Sequence, residues 1–247
     1  MPEKQASHTG RVETGKVQGA QLAPCCGTFS YRVLKRLIDL TGATVALILL
    51  FPLLALVALI TKLGAPGPLF YEWHVVGEGG RRFTGYKFRS MVANADEMKR
   101  RLLDRNEMNG PVFKMKNDPR VTSMGRFLRK FSVDELPQLW SVLRGDMSLV
   151  GPRPAFPHEW DRYENWQRRK LSVVPGMISL WHIRGKSNDF NEWVRSDLEY
   201  IDNWSLWLDV KILLFGVPYL LLGQGERLTP MSKATRASVP TRADSDA

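Results

Sequence analysis

The chain has 247 residues and a formal net charge of +10, with 35 Lys and Arg against 25 Asp and Glu. That length allows one sizeable domain with attachments or two small ones, and so basic a balance points to an anionic partner: nucleic acid, an acidic membrane surface or a phosphorylated substrate. The two cysteines, Cys25 and Cys26, are adjacent and have no metal-ligand spacing, which excludes a cysteine-built metal centre and a disulfide framework.

In chain order, residues 1–30 are polar and without period, and read as a disordered N-terminal segment. Leu40 to Thr61 is an uncharged apolar stretch of 22 residues. As a helix at about 1.5 Å per residue it reaches about 33 Å, enough to cross a bilayer. Two features favour re-entry over crossing. Pro52 sits at its centre, where it removes a hydrogen bond and bends a helix. Basic residues flank both ends, Arg32, Lys35 and Arg36 before and Lys62 after, which holds both ends on the cytoplasmic side. A kinked spanning helix is the alternative, because membrane helices tolerate proline. The expected unit is a helix-break-helix hairpin over 31–66 with Pro52 at the break.

From 67 to 225 the pattern is that of a compact domain. "LFY" and "EGGRRFTGYKFRSM" read as a β-hairpin around a Gly-Gly turn. "NADEMKRRLLDRN", "SMGRFLRKF", "DELPQLWSVLRG" and "PHEWDRYENWQRRKL" read as four helices. The stretch from Asp189 to Leu222 reads as one or two more, with Trp204, Trp207 and Tyr219 suited to a membrane–water boundary. Residues 226–247 are a second solvated tail. The class is α+β, mostly helical: a membrane hairpin, then a catalytic domain with a small sheet and interfacial amphipathic helices.

Between Arg81 and Lys130 stand 14 Lys and Arg against 5 acids, a net of +9 over 50 residues. Just beyond, "KFSVDELPQLW" carries two adjacent carboxylates, Asp134 and Glu135. Ser132 and Glu135 have the spacing of a capping box, so Glu135 has a structural explanation in satisfying a helix start. Asp134 is then the second helical residue, where the helix dipole favours its ionised form. Lys87 and Arg89 alternate in "YKFRSM" and so share a strand face. With Arg153, constrained between prolines in "GPRP", they look like a phosphate clamp with a nucleophile inside it. His8, His74, His158 and His182 lack metal spacing and are read as structural or surface groups.

"YKFRSM", "NDPRVTSMGRFLRKFSVDELPQLWSVLRGDMSLVGPRP" and "VVPGM" strongly resemble the bacterial sugar transferase family, the polyprenyl-phosphate hexose-1-phosphate transferases or monotopic phosphoglycosyl transferases. The likeness runs from about Lys35 to Gly225. It implies transfer of a hexose-1-phosphate from a nucleotide diphosphate sugar, usually a UDP-sugar, to undecaprenyl phosphate, with release of UMP. It implies a covalent phosphosugar on Asp134 and a requirement for Mg²⁺, with Asp134 and Glu135 as the catalytic and metal-binding acids. Lys87, Arg89, Arg129, Arg153, Arg184 and Lys186 would bind substrate phosphates. It also implies a hairpin embedded in the cytoplasmic leaflet of a bacterial inner membrane, lipid contact, a role at the start of exopolysaccharide, capsule or O-antigen assembly, and no nucleic-acid partner; a homodimer is compatible with it.

The sequence departs from the family pattern at several places. Phe51-Pro52 replaces Ser-Pro at the hairpin break. Trp73 and Val75 stand where Gln and Arg are usual, and Ser141 where Asn is common. Gly185-Lys186, preceded by Arg184, replaces Gly-Arg. These leave sugar choice and rate open. Two rivals remain: a basic nucleic-acid-binding membrane protein, which leaves the apolar segment and the acidic pair without a use, and a membrane scaffold of the same fold without turnover.

Overall fold

The computed structural model describes residues 29–64, 67–184 and 188–224. The tails predicted for 1–30 and 226–247 lie outside the described residues, apart from positions 29 and 30, as do Cys25, Cys26 and Lys186.

The apolar stretch forms α1 (Phe29–Gly64), the one helix among the described residues long and apolar enough to cross a membrane. The middle of α1 is bare: Ile48, Leu49 and Phe51 are 68–73% exposed. A bare apolar face of this kind suits a membrane anchor. Helical geometry continues unbroken through Pro52, so the expected helix-break-helix is one element with a proline inside it. Proline forfeits only the bond to the carbonyl four residues back, and the remaining bonds of so long an apolar helix carry it on.

Both ends of α1 pack on the same body. Asp39, Ala43, Val57 and Thr61 are buried, and with Leu47, Leu54 and Ala58 they follow one face at spacings of three or four residues, with one step of seven across the bare middle. Ala43 joins Trp73, Val75, Leu139 and Met147, whereas Val57 joins Phe88 and Leu128. Polar contacts fix the N-terminal end. Arg36 donates to the carbonyls of Val142 and Leu143 at 2.5 and 2.6 Å. Lys35 meets Asp209 at 2.7 Å. Asp39 accepts from the Ser148 hydroxyl and the Leu149 N–H, both at 2.9 Å.

The alternation in "FYEWHVV" and "RFTGYKF" builds the expected hairpin, β1 (Phe70–Val76) antiparallel to β2 (Arg82–Phe88), with Trp73 opposite Gly85 and Tyr71 opposite Lys87. Gly79 and Gly80, with φ of 62° and 84°, supply the left-handed turn. The basic and acidic segments follow as α2 (Ala95–Arg101), α3 (Ser123–Lys130), a 3₁₀ turn (Val133–Gln138) and α4 (Leu139–Arg144). Thr122 caps α3, its hydroxyl accepting from the Gly125 N–H at 2.9 Å. A second two-stranded piece, β3 (Ser148–Val150) parallel to β4 (Gly176–Ile178), leads into the Arg153 loop; at three residues each, these strands carry no readable alternation.

The single helix expected over "PHEWDRYENWQRRKL" is instead α5 (Pro157–Trp160), α6 (Asn165–Arg168) and a 3₁₀ turn (Arg169–Leu171). Tyr163 turns into the core against Phe190, and the backbone N–H of Glu164 is taken by the Gln167 side chain at 2.8 Å, which restarts the helix. The last elements are α7 (Leu180–Arg184), α8 (Phe190–Asp202) and α9 (Leu206–Tyr219). On α9, Trp207, Leu214 and Phe215 are exposed, whereas Ile212 and Gly216 are buried. Trp204, expected at a membrane boundary, is buried: its indole donates to Asp209 and its ring meets Tyr31 edge-on.

Removing the Asp39 carboxylate takes an acceptor from the buried Ser148 hydroxyl and from the half-buried N–H of Leu149. Asp39→Ala is expected to lower stability by about 2–3 kcal/mol, and Asp39→Asn, which keeps an acceptor oxygen, by less; denaturant unfolding of the detergent-solubilised protein measures both.

Candidate active site

The acidic pair lies in the 3₁₀ turn that joins α3 to α4, and this turn packs against β2. Ser132, ahead of the turn, adopts a left-handed backbone (φ 54°, ψ 23°), the one non-glycine residue with positive φ among those described. Such a conformation is costly and concentrates at functional sites. The capping box expected of Ser132 and Glu135 is not made: the Ser132 side chain caps nothing, and Glu135 turns to Lys87 instead.

Asp134 is 6% exposed. Burial, and then the charge of Glu135 beside it, push its carboxyl up to about 6 against the pull of Lys87 and Arg129. Glu135 is more open, its side chain about a third exposed. Partial burial raises it, but the Lys87 ammonium at 2.6 Å, with weaker help from His182 and Arg153, holds it well below the usual carboxylate range. Two adjacent acids in one low-dielectric place are thus driven apart in proton affinity, as expected where the pair shares chemistry.

Three of the predicted cations act on this pair. Lys87 projects from β2 onto Glu135. Arg129, at the end of α3, exerts its charge on Asp134, and its Nε donates to the Ser90 hydroxyl at 2.9 Å. Helix α3 crosses Ser90 so closely that a Cβ on Gly125 would sit 1.9 Å from the Ser90 carbonyl oxygen, which requires glycine there. Arg153 reaches Glu135 electrostatically. Its guanidinium lies over the rings of Phe156 and Trp193, at 5.7 and 5.1 Å, and donates to Glu159 at 3.5 Å. Glu159 is itself buried and accepts from the Phe156 N–H. Asp197, fully buried and paired with the equally buried Lys170 at 2.7 Å, accepts from the backbone of Arg153.

Arg89, one residue past the end of β2, still donates its backbone N–H to the Leu69 carbonyl at 3.1 Å, and its guanidinium lies against Gly67. Arg184 spends both terminal nitrogens on Glu199 of α8. Lys186 lies outside the described residues.

His182 was missed as a site residue. Its ring lies within electrostatic reach of Glu135, and its Nδ1 accepts from the Ser179 N–H at 3.1 Å, an arrangement that places the proton of the neutral ring on Nε2. Its place inside "SLWHIRGKSN" was the one available signal. Glu159 and Asp197 were missed as well, since neither lies near Arg153 in a readable motif.

The acidic pair fits a magnesium ion in one respect. Asp134 and Glu135 offer neighbouring carboxylate oxygens of the kind magnesium takes alongside substrate phosphates and water.

A buried carboxylate acted on by Lys87 and Arg129 thus lies in a chain whose one long apolar helix among the described residues is bare along its middle. The chain belongs to the bacterial sugar transferase family, whose family model matches residues 30–223. It is 45% identical over 202 residues to the galactosyl transferase CpsE of Streptococcus agalactiae, covering 81% of this chain and 44% of that protein. It is 44% identical to the undecaprenyl-phosphate galactose phosphotransferase of Salmonella typhimurium, covering 74% of this chain and 40% of that protein. The chain thus spans less than half the length of these two relatives. The exopolysaccharide production protein ExoY of Rhizobium meliloti is 38% identical, with 77% of this chain and 87% of that protein covered.

The raised pKa of Asp134 has a consequence for stability. A carboxyl that binds its proton more tightly when folded favours the fold at low pH, and that contribution is lost as pH rises through about 6. Asp134→Asn, which never ionises, is therefore expected to raise the melting temperature by a few degrees at pH 7.5. The gain shrinks as pH falls from about 6 toward 3.8, the ordinary value. Thermal unfolding of both proteins across that range measures it.

Proposed function

We propose that the protein transfers a hexose-1-phosphate from a UDP-sugar to undecaprenyl phosphate at the cytoplasmic face of a bacterial inner membrane, at the start of exopolysaccharide or capsule assembly. The observation that carries this reading is Asp134: a buried carboxylate between Lys87 and Arg129, in a chain whose relatives are named as galactose and glucose phosphotransferases acting on undecaprenyl phosphate.

In the first step an Asp134 oxygen attacks the sugar-bearing phosphorus; the bond from that phosphorus to the bridging oxygen breaks, and UMP leaves with the electron pair. In the second, an oxygen of undecaprenyl phosphate attacks the same phosphorus and the Asp134 carboxylate departs. Arg129 and Arg153 hold the phosphates with paired N–H donors, and Lys87 keeps Glu135 ionised beside the nucleophile. Asp134 and Glu135 would hold magnesium, which when bound supplies neutralisation of the transferred phosphate's charge. Burial keeps water from the Asp134 carboxyl, which favours the lipid acceptor over hydrolysis.

The acceptor's tail has a matching environment. Between the middle of α1, the hairpin and the catalytic turn lies an apolar cavity of about 480 Å³, lined among others by Phe51, Leu54, Phe70, Phe88, Pro137 and Trp140. Pro137 is three residues from Asp134. The burial of Asp39 and Thr61, near opposite ends of the apolar stretch, against one and the same body fits an α1 that enters one leaflet without crossing, bent at Pro52 rather than broken there.

A panel of UDP-hexoses labelled in the sugar, incubated with the detergent-solubilised protein and Mg²⁺ but no acceptor, tests the reading. One donor is expected to leave its phosphosugar on Asp134 with release of UMP. Asp134→Asn is expected to leave no label and to lower turnover by at least about 10³-fold. Turnover near that of the parent sinks the assignment, and no UMP from any donor supports the scaffold instead.

A further inference from the structure

Lys87 is held from two sides. On one side its Nζ meets Glu135 at 2.6 Å. On the other it stands over the indole of Trp73, 4.3 Å from the ring centroid. Trp73 is 3% exposed, so the contact is largely shielded from water, where a cation on an aromatic face is worth most. The hairpin is built for this contact. Trp73 lies opposite Gly85, and a Cβ on Gly85 would fall 2.2 Å from the indole nitrogen. Glycine there lets the ring lie flat across β2 and reach beneath Lys87, two residues on and on the same strand face.

The ring continues into a wider surface. Trp73 meets Phe156 edge-on, at 5.8 Å and 67°. Phe156 in turn carries the Arg153 guanidinium on its face, and Trp193 supports that same guanidinium. Two of the three cations gathered at the acidic pair thus rest on joined aromatic faces. Lysine has a flexible stem and a point charge that chooses no orientation by itself. A carboxylate alone would leave the ammonium many arrangements, whereas a ring beneath it restricts them.

We infer that Trp73 is a positioning residue: its buried ring carries the Lys87 ammonium and holds it against Glu135, as part of an aromatic platform that also supports Arg153 through Phe156. The role rests on the proposed reaction for its consequence in turnover, but the contact itself does not. It also gives a use to a residue that departs from the family's usual glutamine.

Site-specific replacement of Trp73 by mono-, di- and trifluorotryptophan keeps the shape of the ring while draining its negative face. The expected result is a stepwise fall in UMP release, reaching about 10-fold for the trifluoro ring, with the melting temperature near that of the parent. A flat series overturns the role, because a tryptophan that only fills space is indifferent to fluorine. A second measurement stands apart from activity. In protein whose lysines are reductively ¹³C-methylated, the Lys87 methyl signal, assigned through Lys87→Arg, is expected to be shifted upfield by the ring and to return to the ordinary position in Trp73→Leu. An unshifted Lys87 signal in the parent overturns the contact. If the parent releases no UMP with any donor, the reading of function fails, and the methyl signal still decides the platform.

Discussion

The ammonium of Lys87 against Glu135 is the contact on which the site depends. Two carboxylates on consecutive residues, one of them buried, repel strongly enough that one would ordinarily hold a proton. The ammonium fixes which. It keeps Glu135 ionised, and Asp134 then absorbs both the burial and the repulsion, so its proton affinity rises while its neighbour's falls. Every other cation at the site is held by a partner that leaves it charged: Arg129 by the hydroxyl of Ser90, and Arg153 by rings and by the buried Glu159.

The basic run from Arg81 to Lys130 looks in sequence like a solvated face or a nucleic-acid surface. In the structure the run divides. Arg120 is buried against Asp118 and the Phe113 ring, and Lys87 and Arg129 turn to the acidic pair. Arg82, Arg100, Arg105, Lys116 and Lys130 face solvent, and Arg81 stays exposed while it pairs with Asp146.

What the sequence made legible was what its local patterns determine. The hairpin followed from alternation and paired glycines. The acidic pair stood out by its charge against its surroundings. Family motifs carried Lys87, Arg129 and Arg153 to the pair. What local pattern does not determine could not be read. The meeting of Arg184 with Glu199, fifteen residues on, comes from the packing of α7 on α8. Ser132 has a capping-box partner in sequence, but a stronger bond from a distant strand claims Glu135. His182, Glu159 and Asp197 act across the fold, and three-residue strands such as β3 are too short for any period to be seen.

The bond between Asp39 and Leu149 joins the membrane helix to a strand four residues ahead of Arg153. The anchor is thus a wall of the machine rather than a tether for it. A soluble fragment beginning after Gly64 would leave Trp73, Val75 and Leu139 without the α1 side chains that cover them, and would cut loose the strand that aims the arginine. Displacing that helix would pull, through one carboxylate, on the strand that leads to Arg153.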